Sequence, residues 1–209
     1  MPNWVKNVVT FHCEGRALAK IMDEIKHGDS VFSFNTLIPM PESLKMTSGS
    51  IEDKAIECFI KGDDSWQKNY YMNKWELTEE QFTDLYNKGE QYIRNKLEYG
   101  YTTWYGWCNA NWGTKWNANG AYWEDNKLIF ETAWSTPIPI FEVLSEKYKD
   151  VSFTVEFADE DLGRNCGIIK YYDGAGQEEV IFKDDDEAFQ FAKDLWGYTD
   201  EDLKEWEEE

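Results

Sequence analysis

The sequence predicts an α+β sandwich, an antiparallel sheet with helices packed on one face. Three observations predict it. Period-two alternation of apolar residues recurs near both ends of the chain, in "NWVKNVVTFHC", "LIFETAW" and "VSFTVEFAD". Helical spacing appears between those stretches, in "EGRALAKIMDEIKHG" and "TPIPIFEVLSEKYKD". Glycine and proline mark the joins, at Gly28, Pro39, Pro41, Pro137 and Pro139.

Taken in order, the opening strand places Val5, Asn7, Val9 and Phe11 on one side and Lys6, Val8 and Thr10 on the other. In the helix that follows, Leu18, Ile21, Met22 and Ile25 recur at helical spacing, and Gly28 suits its stop. "SVFSFNTLI" reads as a second strand, halted by Pro39 and Pro41, which cannot continue a ladder. Residues 47–105 read as a mainly helical insertion between the two halves of the sheet domain. Its best helix is "TEEQFTDLYNKGEQYIRNKLEYG". There Thr78 and Gln81 form a capping box, and Phe82, Leu85, Tyr86, Tyr92, Ile93 and Leu97 give a broken apolar stripe. Gly89 weakens its middle.

The second half repeats the plan. "LIFETAW" is the clearest strand, and the helix after it starts with a proline pair, where a missing amide donor costs least. Val151, Phe153, Val155 and Phe157 alternate in the next strand, and "CGIIKYYDGAGQEEVIF" reads as a hairpin with an Asp-Gly turn. Two acidic helices close the chain, capped near Asp184 to Asp186 and at Thr199. Without the insertion, the order is strand, helix, strand, twice over, then an extra hairpin strand. That is the ferredoxin-like βαββαβ sandwich. The predicted organisation is residues 1–183 as this domain and 184–209 as an acidic helical extension.

Composition narrows the function. The chain has 209 residues and 17% aromatic content, too rich for disorder and enough for a real core. Its 41 Asp and Glu against 21 Lys and Arg give a net charge of −20, which opposes nucleic-acid and anionic-membrane binding and favours a basic protein partner. Residues 184–209 hold twelve acids and two lysines. Cys13, Cys58, Cys108 and Cys166 are too far apart for a CxxC metal signature, and His12 and His27 are the only histidines. No signal-like leader and no apolar run of membrane-spanning length appears, so a soluble, reduced, cytoplasmic protein with free core thiols is expected.

Four strings occur together and in order: "MPNW", "FNTLIPMP" at 34–41, "NWGTKWNA" at 111–118 and "FETAWSTPIP" at 130–139. In these the chain resembles the YubB ferredoxin-like domain family of phages, plasmids and other mobile elements. The resemblance spans the first strand and helix and residues from Asn111 to about Tyr172. It implies the ferredoxin-like fold and a mobile-element origin. It implies no activity, and it carries no catalytic residue to this chain.

Residues 108–123, "CNANWGTKWNANGAYW", hold three Trp and four Asn. One reading makes them a shaped loop that docks the insertion, since Trp seals domain edges and Asn satisfies turn amides. The other makes Asn109, Asn111, Trp112, Lys115, Trp116 and Asn117 a recognition surface for a small ligand, a nucleotide or a peptide. The acidic end also has two readings. It is a solvated helix pair, or it imitates the phosphate row of DNA through Asp184, Asp185, Asp186, Glu187, Asp200, Glu201, Asp202 and Glu205.

Enzymatic signals are thin. His12 and Cys13 are strand neighbours and point apart, and "DGAGQ" lacks the lysine of a phosphate loop. Strand aromatics Phe11, Phe153 and Phe157 suit an RNA-binding sheet, but no basic patch accompanies them and they are expected to face the helices. The expected function is therefore a non-enzymatic acidic binding protein of a phage or mobile element, with no metal or cofactor. It would inhibit or modulate a basic host protein of the defence or nucleic-acid-handling kind by protein–protein contact, in its narrowest form as a DNA mimic. The alternative is a small-ligand or nucleotide binder using the 108–123 loop.

Overall fold

Alternation in "WVKNVVTF" becomes β1 (Trp4–Phe11), and the helical spacing after it becomes α1 (Gly15–Ile25). There follow α2 (Ser50–Lys61), α3 (Ser65–Lys74), α4 (Glu79–Tyr99) and α5 (Trp104–Asn111). Then come β2 (Asn119–Glu124), β3 (Lys127–Ala133), α6 (Ile138–Lys147), β4 (Phe153–Asp159), β5 (Gly167–Tyr172), β6 (Gly176–Val180), α7 (Asp185–Trp196) and α8 (Asp200–Glu207). This computed structural model describes residues 3–62, 64–174, 176–180 and 182–207, with Gly176 and the last three, 205–207, described by their backbone alone. Two compact units form, Met1–Pro39 with Asn111–Glu209, and Met40–Ala110.

The first unit is an antiparallel sheet in the order β2-β3-β1-β4-β5-β6. The four strands β2-β3-β1-β4, with α1 and α6 as their crossovers, make the ferredoxin-like fold. The expected second strand over 30–38 is not one. Those residues carry a 3₁₀ turn at Phe34–Thr36, and β2 takes the place beside β3. The reason lies in local polar groups. Thr36 Oγ1 donates to the Ser33 carbonyl, and the Phe34 N–H is taken by Asn117 Oδ1 at 2.7 Å, so side chains capture the backbone groups a ladder needs. The helical segment therefore interrupts the first half, between α1 and β2, rather than separating the halves. The missed strand has its own signal, the two-residue Asp125-Asn126 turn that joins Glu124 to its partner Lys127, with Asp125 at φ 52°.

One sheet face carries Val5, Val9, Phe11, Leu128, Phe130, Phe153 and Val155, all buried. Phe141 of α6 meets Phe130 and Phe153 there, and Phe153 stacks on Tyr171 at 4.8 Å. The strand aromatics thus face the helices, as expected. The opposite face is covered in part by α7. Trp196 Nε1 donates to the Ala158 and Asp159 carbonyls, and Lys6 Nζ lies 5.7 Å over its ring. The hairpin β5–β6 turns at Asp173 and Gly174, both left-handed.

In the second unit, Ala55, Cys58, Tyr71, Phe82, Leu85 and Tyr92 make the core. The Thr78–Gln81 capping box forms, and Gly100 ends α4 in the left-handed region. The apolar stripe is corrected at its end. Leu97 is 83% exposed, and the buried position is Asn95, whose Nδ2 donates to the Ser43 and Thr102 carbonyls. All four cysteines are free. Burial pushes the Cys108 thiol up to about 12, and burial with the Glu57 carboxylate nearby pushes Cys58 up to about 11. A raised pKa leaves almost no thiolate at neutral pH. A thiol reagent added to the native protein is therefore expected to label the half-buried Cys13 and Cys166 first, as peptide mass spectrometry would show.

Candidate functional site

Asn7 sits fully buried on the core face of the central strand. Its Nδ2 donates to the Val5 carbonyl and to Thr132 Oγ1, each at 2.9 Å, and its Oδ1 accepts from Thr136 Oγ1. Thr132 Oγ1 in turn donates to the Ser135 carbonyl at 2.8 Å. A buried amide thus clamps both ends of the turn that leaves β3. Between the clamps, Trp134 is forced to φ 70°. Left-handed backbone costs a bulky residue strain and persists only where the surroundings over-determine it. They do so here: the Trp134 N–H donates to the Asn3 carbonyl at 2.9 Å, and its carbonyl accepts from Asn165 Nδ2 at 3.0 Å.

The 112–117 segment is tied to the same turn. Ser135 Oγ donates to the Gly113 carbonyl, and Thr114 Oγ1 donates to that of Ala133. Gly113 has φ 76°, and a β-carbon on it would lie 2.8 Å from Pro139 Cδ, so both torsion and space require glycine. Trp112 is 3% exposed, packs edge-on against Phe34, and donates its indole N–H to the Ile38 carbonyl at 2.9 Å. Asn117 accepts from the Phe34 and Ala118 amides and donates to Ser33 Oγ. Trp112 and Asn117 are therefore committed to the fold. Asn109 belongs to the other unit, where its amide donates to the Tyr105 carbonyl. Asn111, half-buried, ends α5.

What the scaffold presents is a tryptophan surface. Trp116 is 37% exposed and Trp134 43%. Lys115 Nζ lies between them, 4.3 Å from one ring centroid and 4.7 Å from the other. Trp4 packs against Trp116 at 5.9 Å. Of this group, sequence reasoning singled out Lys115 and Trp116 and missed Trp4 and Trp134. The available signal was the set of four strings, because all four meet here. "MPNW" supplies Trp4, "FNTLI" supplies the partners of Trp112 and Asn117, "NWGTKWNA" supplies Lys115 and Trp116, and "FETAWSTPIP" supplies Trp134 and Pro139. Flat exposed indoles around a cation can stack on planar or cationic groups of a partner.

The acidic residues divide by role. Asp184 caps α7 by accepting from the Glu187 N–H at 2.9 Å, and the Glu187 carboxylate accepts from the Lys183 N–H. Asp202 accepts from the backbone and hydroxyl of Thr199, which holds its carboxyl below the ordinary range. Asp200 pairs with Lys193, with the same effect. Acid clustering at these helix starts is thus partly capping and dipole chemistry. Asp185, Asp186 and Glu201 are exposed, and no cap bond uses them. The Glu205 side chain lies outside the described residues. Among the described residues, no group of three or more His, Cys, Asp or Glu is placed to hold a metal ion. No helix among them is long and apolar enough to cross a membrane.

The fold and this surface define the class: a ferredoxin-like α+β protein with α7 laid across the open side of the sheet. Residues 111–199 match the family model described as the ferredoxin-like domain in Api92-like protein, a span from the start of the tryptophan segment through α7. Among solved structures, protein api92 from Yersinia pseudotuberculosis is similar at a TM-score of 0.44 and 14% identity, over 88% of this chain and 100% of that one. No curated protein matches.

Proposed function

We propose that the chain is a non-enzymatic binding protein that acts by protein–protein contact, with the surface of Trp4, Lys115, Trp116 and Trp134 at the centre of the contact. The observation that carries this reading is the left-handed Trp134, held by four neighbouring hydrogen-bonding residues so that a large ring stays 43% exposed. Trp is the residue most enriched at binding hot spots, where truncation typically costs ~2 kcal/mol or more. Charge selects the partner: a chain of net −20 steers a basic protein toward it. Kinship to the YubB family of mobile elements, and a role in inhibiting a host defence or nucleic-acid-handling factor, are the narrower form. They are supported by the four strings and the acid excess. A DNA-mimic mode would use Asp185, Asp186 and Glu201, which the caps leave available.

Affinity capture with immobilised protein tests the reading. A partner held by wild type is expected to be lost, by at least about tenfold in affinity, from the Trp116→Ala/Trp134→Ala variant with its fold intact by circular dichroism. Retention by that variant at wild-type affinity would refute the tryptophan contact. The Asp185→Asn/Asp186→Asn/Glu201→Gln variant separates the mimic form. It is expected to weaken binding and flatten its salt dependence if these acids oppose a basic groove.

A further inference from the structure

Two buried hydroxyls without partners lie away from the tryptophans, on α6 and β5. Ser145 is 1% exposed and Tyr171 2%, and neither hydroxyl has a hydrogen-bond partner among the described residues. A buried hydroxyl without a partner is costly, and native folds keep few of them. Both residues line one cleft of about 480 Å³ between α6 and the β5–β6 hairpin. Its other walls carry Glu142, Glu146, Asp173 and Gln177. Lys149 is the single cation lining it among the described residues, and its stem is pressed onto Gly174, where a β-carbon would lie 2.5 Å from Lys149 Cγ. Burial and the Glu142 carboxylate raise the Tyr171 phenol, so it stays protonated, able both to donate and to accept.

We infer that this cleft is a binding site for a cationic group on an aliphatic stem, an alkylammonium or guanidinium, anchored by the hydroxyls of Ser145 and Tyr171 and the carboxylates of Glu142, Glu146 and Asp173. Three carboxylates around one opening favour a cation that can donate several charge-assisted hydrogen bonds. The two hydroxyls can accept from the cation, and Val143, which also lines the cleft, gives the stem an apolar contact. A free amine and an arginine or lysine side chain share this chemistry. The site shares no residue with the tryptophan surface, so either can fail without the other.

Titration of the ¹⁵N-labelled protein with agmatine, with an acetyl-Gly-Arg-Gly amide peptide, and with glutarate as anionic control tests it. Saturable amide shifts at Ser145, Tyr171 and Gln177 are expected with the cationic probes and not with glutarate. Tighter saturation by agmatine marks a free amine as the source, and tighter saturation by the peptide marks a protein side chain. Tyr171→Phe is expected to bind at least tenfold more weakly while melting higher than wild type, because it removes an unpartnered hydroxyl. Glu142→Gln/Glu146→Gln is expected to bind at least tenfold more weakly as well. No saturable shift with either cation, equal shifts with glutarate, wild-type binding by Tyr171→Phe, or a lowered melting temperature for that variant would each overturn the site.

Discussion

Replacing Gly89 by alanine is expected to destabilise the helical unit by about 3 kcal/mol. A β-carbon at this position would lie 2.0 Å from the Ala55 carbonyl oxygen and 2.7 Å from Phe59 Cβ. The obstacle is the backbone of α2, and no side-chain rotation relieves it. Helix propensity works the other way, since alanine in a helix interior is better than glycine by about 1 kcal/mol. The clash is the larger effect, because α2 and α4 must part to admit the methyl group and Ala55, Cys58, Phe82 and Leu85 lose contact with it. Thermal melts followed by far-UV circular dichroism check this. Gly100→Ala is the comparison: its β-carbon meets nothing, and only its left-handed φ of 80° opposes the change, at a cost of about 1 kcal/mol. A Gly89→Ala protein that melts with or above wild type would show that the two helices are further apart than described.

Asn7→Ala is expected to cost about 3 kcal/mol and to free the turn that carries Trp134. The substitution leaves the Thr136 hydroxyl without its acceptor and opens a cavity on the central strand. Removing one member of a buried network is worse than removing all of it, because the remaining groups stay desolvated and unpaired. Asn7→Leu combined with Thr132→Val and Thr136→Val is therefore expected to recover part of the loss in a denaturant melt. The same triple variant should not restore the Trp134 geometry, since Thr132 Oγ1 no longer binds the Ser135 carbonyl. Hydrogen exchange at the Trp134 amide, bonded to the Asn3 carbonyl in the native protein, reads that second effect.

Much of the architecture is legible in local pattern. Alternation marked β1, β3 and β4; helical spacing marked α1 and α6; and the Thr78–Gln81 box marked the start of α4. These signals depend on neighbours two to four residues away, which a linear reading contains. The misassigned strand over 30–38 shows the boundary. Phe32 and Phe34 are fully buried, as a strand reading requires, but the group that claims the Phe34 amide is Asn117, 83 residues away. The burial of Asn95, which the stripe left out, has the same cause, because its partners are the distant Ser43 carbonyl and the Thr102 carbonyl beyond the helix end.

The sequence by itself determined the fold class, the charge of −20 and the four strings that later proved to be one local structure. Tertiary structure decided which aromatic rings are available. Trp112 and Trp116 stand four residues apart in one motif, yet one is sealed beneath the Ile38 carbonyl and the other lies open beside Lys115. The tertiary structure also decided that Gly89 marks a close helix crossing and not a weak point in a helix. Burial is a property of what packs against a residue from elsewhere in the chain, and a side chain's own identity and spacing do not contain it.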